Sequence, residues 1–122
     1  MVKILCGGYA GKDCVEQINK LGIKGIEAEY ADDMEATDRL LKGEADYYIG
    51  TCSTGSASMA IARAVLGLNK TAMVSVLGKT LLKEDGIKKA LKDGVIAFGI
   101  HAGGVDNALV ELVKLIKEEK GL

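Results

Sequence analysis

The sequence predicts an α/β fold: a three-layer α/β/α sandwich around a five-stranded parallel sheet, flavodoxin- or Rossmann-like, with strand order 2-1-3-4-5. Three observations predict it. Five short apolar runs alternate with five segments of helical period, the pattern of successive βαβ units. Most of these runs are too continuously apolar for a sheet with one wet face, and so fit buried parallel strands. The connections are short, and parallel crossovers of this kind are right-handed and place helices on both faces. At 122 residues the chain is the size of one domain, spanning 1–122.

The strands are read at Val2–Cys6, Ile23–Tyr30, Tyr47–Thr51, Thr71–Val76 and Val95–Ile100, rich in Val, Ile and Tyr and bounded by Gly, Asp or Asn;. Val15, Ile18 and Leu21 form the apolar stripe of the first helix. Met34, Leu40 and Leu41 form that of the second, with Asp32 or Asp33 as its cap;. A third helix, Ser56 to Leu68, is Ala-rich and apolar nearly all round, with Arg63 its only charge. Such a helix is expected to be buried on more than one side, within the domain or against another subunit, and Arg63 to find a partner across a homodimer interface. The last helix lines up Val105, Leu109, Leu112, Val113 and Ile116 on one side, with Glu111, Lys114, Lys117 and Glu118 opposite;.

Composition narrows the function classes. Aromatic residues make up only 4%, so stacking platforms for bases are scarce;. Lys and Arg total 16 against 17 Asp and Glu, with no basic block to follow a phosphate backbone;. Nucleic-acid binding is not expected. No segment approaches the ~20 apolar residues of a membrane span, and the N-terminus lacks a signal-peptide pattern. The three cysteines, Cys6, Cys14 and Cys52, have neither CxxC spacing nor a histidine cluster; no metal, no cofactor and no disulfide framework are expected, and the thiols favour a reducing cytoplasm.

In this fold a ligand binds beyond the carboxyl ends of the strands, where strand order reverses. Four glycine-bearing loops fall at that edge: Gly7-Gly8-Tyr9-Ala10-Gly11-Lys12, Cys52-Ser53-Thr54-Gly55-Ser56, Gly78-Lys79-Thr80 and His101-Ala102-Gly103-Gly104. The second is the strongest candidate, because small residues feeding a helix N-terminus expose N–H donors suited to a phosphate or carboxylate. Ser53, Thr54 and Ser56 would otherwise simply cap the helix. Candidate ligand-binding residues are thus Gly7, Gly8, Gly11, Lys12, Ser53, Thr54, Gly55, Ser56, Gly78 and Gly103. Cys52, where a strand meets a helix, is a candidate base or nucleophile or else a small buried hydrophobe. His101, the one histidine, is a candidate catalytic group on the same edge. Nucleotide motifs do not fit. Cys6 and Asp13 stand where a P-loop needs Gly and Ser or Thr, and Gly7 to Gly11 miss the GxGxxG spacing, although Glu27 and Glu29 lie at the distance of a ribose-binding acid;.

Asp33-Met34-Glu35-Ala36, Asp46 to Cys52, Thr54-Gly55 and Val95-Ile96-Ala97-Phe98-Gly99 resemble the uncharacterised bacterial family typified by YhfU. A more distant resemblance carries chemistry. Cys52-Ser53-Thr54-Gly55 with Ala60-Ile61-Ala62, and Val95 to Gly99, are similar to segments of type B ribose-5-phosphate and galactose-6-phosphate isomerases. That resemblance implies Cys52 as the base moving a proton between adjacent carbons, Thr54-Gly55 as the loop stabilising an enediolate, and sites at a dimer interface. The isomerases carry an Asp-His pair where this chain has Gly7 and Gly8, and a ring-opening histidine where it has Lys88 to Asp93.

The expected function is an isomerase-like protein acting on a small anionic metabolite, with an anion-binding loop at residues 52–56. The alternatives are a non-catalytic ligand-binding or regulatory module of a metabolic or transport complex, and a phosphocarrier-like subunit using Cys6 or Cys52.

Overall fold

The computed structural model describes residues 1–52, 57–76, 79–101 and 108–122. In chain order these form β1 (Val2–Gly8), α1 (Gly11–Lys20), β2 (Ile26–Tyr30), α2 (Asp33–Leu41), β3 (Tyr47–Cys52), a 3-10 turn (Ala57–Met59) leading into α3 (Ala60–Leu66), a second such turn (Leu68–Lys70), β4 (Thr71–Met73), β5 (Ser75–Val76), β6 (Lys79–Thr80), α4 (Glu84–Lys92), β7 (Ala97–His101) and α5 (Val110–Glu119). Five strands make a parallel sheet in the order β2-β1-β3-β7-β4, and β5 and β6 pair as a separate antiparallel hairpin.

The alternation of side chains along each strand divides the core. Ile4, Cys6, Tyr47, Ile49, Phe98 and Ile100 pack with Cys14 and Ile18 of α1, Ile87 and Leu91 of α4, and Leu112, Val113 and Ile116 of α5. The intervening Leu5, Tyr48 and Ala97 pack instead with Ala36 and Leu40 of α2, Met59, and Ala62 of α3. Both sides of the central strands are therefore apolar, which is why those runs show no polar alternation.

The order of the last two sheet strands departs from the expected 2-1-3-4-5. The fifth expected strand lies between the third and the fourth, and the fourth lies at the edge. The reason is local. Ala97 to Ile100 are all buried and can sit between two neighbours, whereas β4 keeps only three residues, the length that suits an edge. The expected strand Thr71–Val76 is broken at Val74, whose carbonyl accepts from Leu81 N at 2.9 Å as the chain turns into the hairpin.

The helices follow their caps. Asp32 caps α2 by accepting from Glu35 N at 2.8 Å, and this start directs Ala36, Thr37 and Leu40 inward. Met34 and Leu41, expected on the buried stripe, are 68% and 62% exposed. The expected single helix from Ser56 to Leu68 is shorter: Gly67 ends it, and Ala60, Arg63, Ala64 and Val65 are exposed, with Ala62 buried. Within this chain α3 is thus covered on one side. Leu109, Leu112, Val113 and Ile116 are buried as expected, and Val105 lies outside the described residues. No helix among the described residues is long and apolar enough to cross a membrane.

Candidate functional site

The strand order brings together two residues that the sequence places in separate loops. Because β7 lies beside β3, Cys52 and His101 are register partners at the last step of that parallel pair. Parallel partners project from the same face of a sheet, on strands roughly 5 Å apart. Both are partly buried. The preceding partners on that face are Gly50 and Gly99, with Gly7 beside Gly50 on β1. The row of glycines leaves room for the chain to cross above it. A Cβ on Gly50 would stand 2.8 Å from Ser58 Oγ and 3.1 Å from Met59 Sδ. Ser58 Oγ is buried there with no hydrogen-bond partner among the described residues, and Tyr48 donates its hydroxyl to the Ser58 carbonyl at 2.8 Å.

Thr51 ties the first loop to this edge. It is fully buried; its carbonyl accepts from Tyr9 N at 2.8 Å, and its hydroxyl accepts from Ala10 N at 2.9 Å and donates to the Gly7 carbonyl at 2.8 Å. Gly8 has φ +84°, and a Cβ on it would lie 1.7 Å from the Thr51 carbonyl oxygen. One on Gly7 would lie 2.2 Å from the Ala31 carbonyl oxygen. Close approach of the chain's own backbone accounts for both glycines, and the amides of Tyr9 and Ala10 are already engaged. Gly11 is buried against the Tyr30 ring, over which Lys12 Nζ stands at 5.7 Å from the centroid. Tyr9 itself is 86% exposed.

The start of α3 has an internal anion. Asp33 accepts from Ile61 N at 2.7 Å and Ala62 N at 3.1 Å. Burial raises its carboxyl above the usual range, the two amides pulling against that and Asp32 adding to it. On the other side of the pair, Ser75 Oγ accepts from His101 N at 2.9 Å and holds the end of β7. Thr51, Asp33 and Ser75 were not among the expected site residues. Their signal is that a polar side chain in a buried run, or a second aspartate beside a helix cap, must find a partner.

Ser53, Thr54, Gly55, Ser56, Gly78 and Gly103 lie outside the described residues. Cys6 and Cys14 are fully buried. Burial pushes the Cys14 thiol up to about 12, and the Cys6 thiol higher still; both stay neutral core groups. Glu27 and Glu29 meet Lys3 at 2.8 and 2.9 Å, and Glu29 also meets Arg39 at 3.2 Å. Neither is poised for a ribose, and no cluster among the described residues could hold a metal ion.

Residues 2–116 match the family described as "Protein of unknown function DUF2620". The chain belongs to that family. It is 38% identical over 118 residues to the uncharacterized protein YhfU of Escherichia coli K12, covering 96% of this chain and 100% of that protein, and equally similar to YhfU of Shigella flexneri. Solved structures share its fold. A ribose 5-phosphate isomerase from Thermotoga maritima superposes with a TM-score of 0.65 at 24% identity, over 97% of this chain and 84% of that one. Ribose-5-phosphate isomerase B from Clostridium thermocellum gives 0.70 at 18%, over 93% and 82%. A type B enzyme from Trypanosoma cruzi gives 0.70 at 6% identity, over 99% and 94%. At these identities the likeness speaks for the fold.

Proposed function

We propose that this member of the DUF2620 family binds a small phosphorylated or carboxylated metabolite beyond the carboxyl ends of β3 and β7 and moves a proton on it with Cys52. The observation that carries the reading is the meeting of Cys52 and His101 on one face at that edge, in a fold shared with ribose-5-phosphate isomerases. The division of the core between two helix groups supports a three-layer arrangement. Cys52 takes a proton from carbon next to a carbonyl, and the amides of residues 53–56 stabilise the negative charge left on oxygen. Residues 7 and 8 are committed to backbone packing and supply no acid–base group. The chemistry therefore differs from that of enzymes with an Asp-His pair at this point, and the substrate need not be a ring-closed sugar. The active unit is a cytoplasmic homodimer.

The test is solvent exchange. In D2O, with open-chain sugar phosphates and 2-hydroxy acids, the protein incorporates deuterium at the carbon beside the carbonyl or carboxylate, and Cys52→Ser does not. Thermal stabilisation by these anions without exchange supports the second reading, a ligand-binding module without turnover.

A further inference from the structure

We propose that Cys52 and His101 form one acid–base unit in which the imidazole takes the thiol proton, so that the resting pair is a thiolate beside an imidazolium. The S–H bond of Cys52 breaks as an N–H bond forms on His101; no electrons change hands, and the net charge of the pair is unchanged. The inference rests on the reading of Cys52 as the base and adds what generates that base at neutral pH.

Three features of the structure support it. The two residues are partners at the final register step of β3 and β7, which puts their Cβ atoms roughly 5 Å apart on one face, within reach of a sulfur-to-nitrogen hydrogen bond. Both strand ends are pinned: β7 through His101 N to Ser75 Oγ at 2.9 Å, and β3 through the bonds of Thr51 to the first loop. The face below the pair is closed by Ser58 and Met59 over Gly50, so the pair is partly withdrawn from water, where an ion pair gains most.

Among the described residues, the titratable groups Tyr48, Asp33, Lys12, Tyr9 and Lys79 are already occupied or lie outward. Tyr48, four residues before Cys52 on the same face of β3, donates to Ser58, and burial pushes its hydroxyl far up. The Asp33 carboxylate is bound to the amides opening α3. Lys12 lies over the Tyr30 ring, Tyr9 is exposed on the first loop, and Lys79 is exposed on β6.

The chain holds a single histidine, so its imidazole Cε1–H gives one NMR resonance whose titration needs no assignment. Cys6 and Cys14 are buried, so alkylation by iodoacetamide under native conditions reads Cys52. In wild type Cys52 is expected to alkylate with a midpoint below the ordinary thiol value of about 8.5, and His101→Gln to slow alkylation at pH 7 by about tenfold. Cys52→Ser should lower the imidazole midpoint by about one pH unit, since it removes the neighbouring negative charge. Wild-type protein carboxamidomethylated at Cys52 should show the same fall, which keeps the test valid if a substitution prevents folding. An imidazole midpoint that ignores the state of Cys52 overturns the proposal, as does a Cys52 that resists alkylation below pH 9. No substrate enters these measurements. A coupled pair without deuterium exchange on any substrate sinks the catalytic reading alone, and exchange with uncoupled titrations sinks the pair alone.

Discussion

The backbone N–H of Ile61 donates to the carboxylate of Asp33 at 2.7 Å, joining the opening of α3 to α2 across 28 residues of chain. Ala62 N adds a second bond to the same carboxylate. Helices ordinarily fill these orphan donors with a residue just ahead of them. Here the cap comes from a neighbouring helix, and it ties the opening of α3 to the start of α2.

Removing that cap should loosen α3 without touching Cys52. Asp33→Ala is expected to cost about 1–2 kcal/mol in urea unfolding, and Asp33→Asn less, since one amide keeps an oxygen acceptor. Equal stability of wild type and Asp33→Ala would show that the bonds contribute nothing.

Gly8 admits no side chain. Gly8→Ala combines a left-handed φ with a Cβ 1.7 Å from the Thr51 carbonyl oxygen, and should cost at least about 3 kcal/mol or abolish folding. Circular dichroism on the purified variant checks this, and a variant as stable as wild type would refute the packing account of this glycine.

Thr51→Val keeps the shape and removes the hydroxyl that serves both Ala10 N and the Gly7 carbonyl. Leaving those groups unpaired is expected to cost about 1–3 kcal/mol, with Thr51→Ser recovering most of it. Hydrogen exchange at the Ala10 amide should accelerate in the valine variant and not in the serine one.

Acid should act partly through Glu29. The hydrogen bond from Lys3, then that from Arg39, holds its carboxyl below the usual range. A lowered folded value means that the contribution is present above the ordinary glutamate value of about 4.3 and is lost as pH falls through the lowered one. Wild type should therefore exceed Glu29→Gln in stability near neutrality and converge with it in acid, with salt narrowing the gap throughout. Parallel denaturation midpoints at every pH would refute this.

Under native conditions an alkylating agent should add once, at Cys52, and three times after unfolding, because Cys6 and Cys14 are buried neutral thiols. Intact-mass measurement decides it.

β1, β2 and β3 are legible in the sequence, β2 starting at Ile26 rather than the expected Ile23, because apolar runs and glycine punctuation are local signals. What a local signal does not carry is non-local geometry. Nothing in Thr71–Val76 alone says that the strand stops at Val74, and nothing in Val95–Ile100 says that it will lie beside β3, because strand order depends on which run can be covered on every side. Met34 and Leu41 were misplaced because the phase of α2 is set by the Asp32 cap. Cys52 and His101 could be named separately from the sequence, but their pairing required the correct order.

The strand that supplies His101 enters the middle of the sheet although it is made after both of its neighbours. Until residues 97–101 have left the ribosome, β3 and β4 have an empty lane between them, and any shorter nascent chain has Cys52 at an open strand edge. Assembly of the candidate site is thus a late event in biosynthesis, completed by the final quarter of the chain. A protein stalled or truncated before β7 would present two unpaired strand edges, one on β3 and one on β4, each a template for pairing with another chain;.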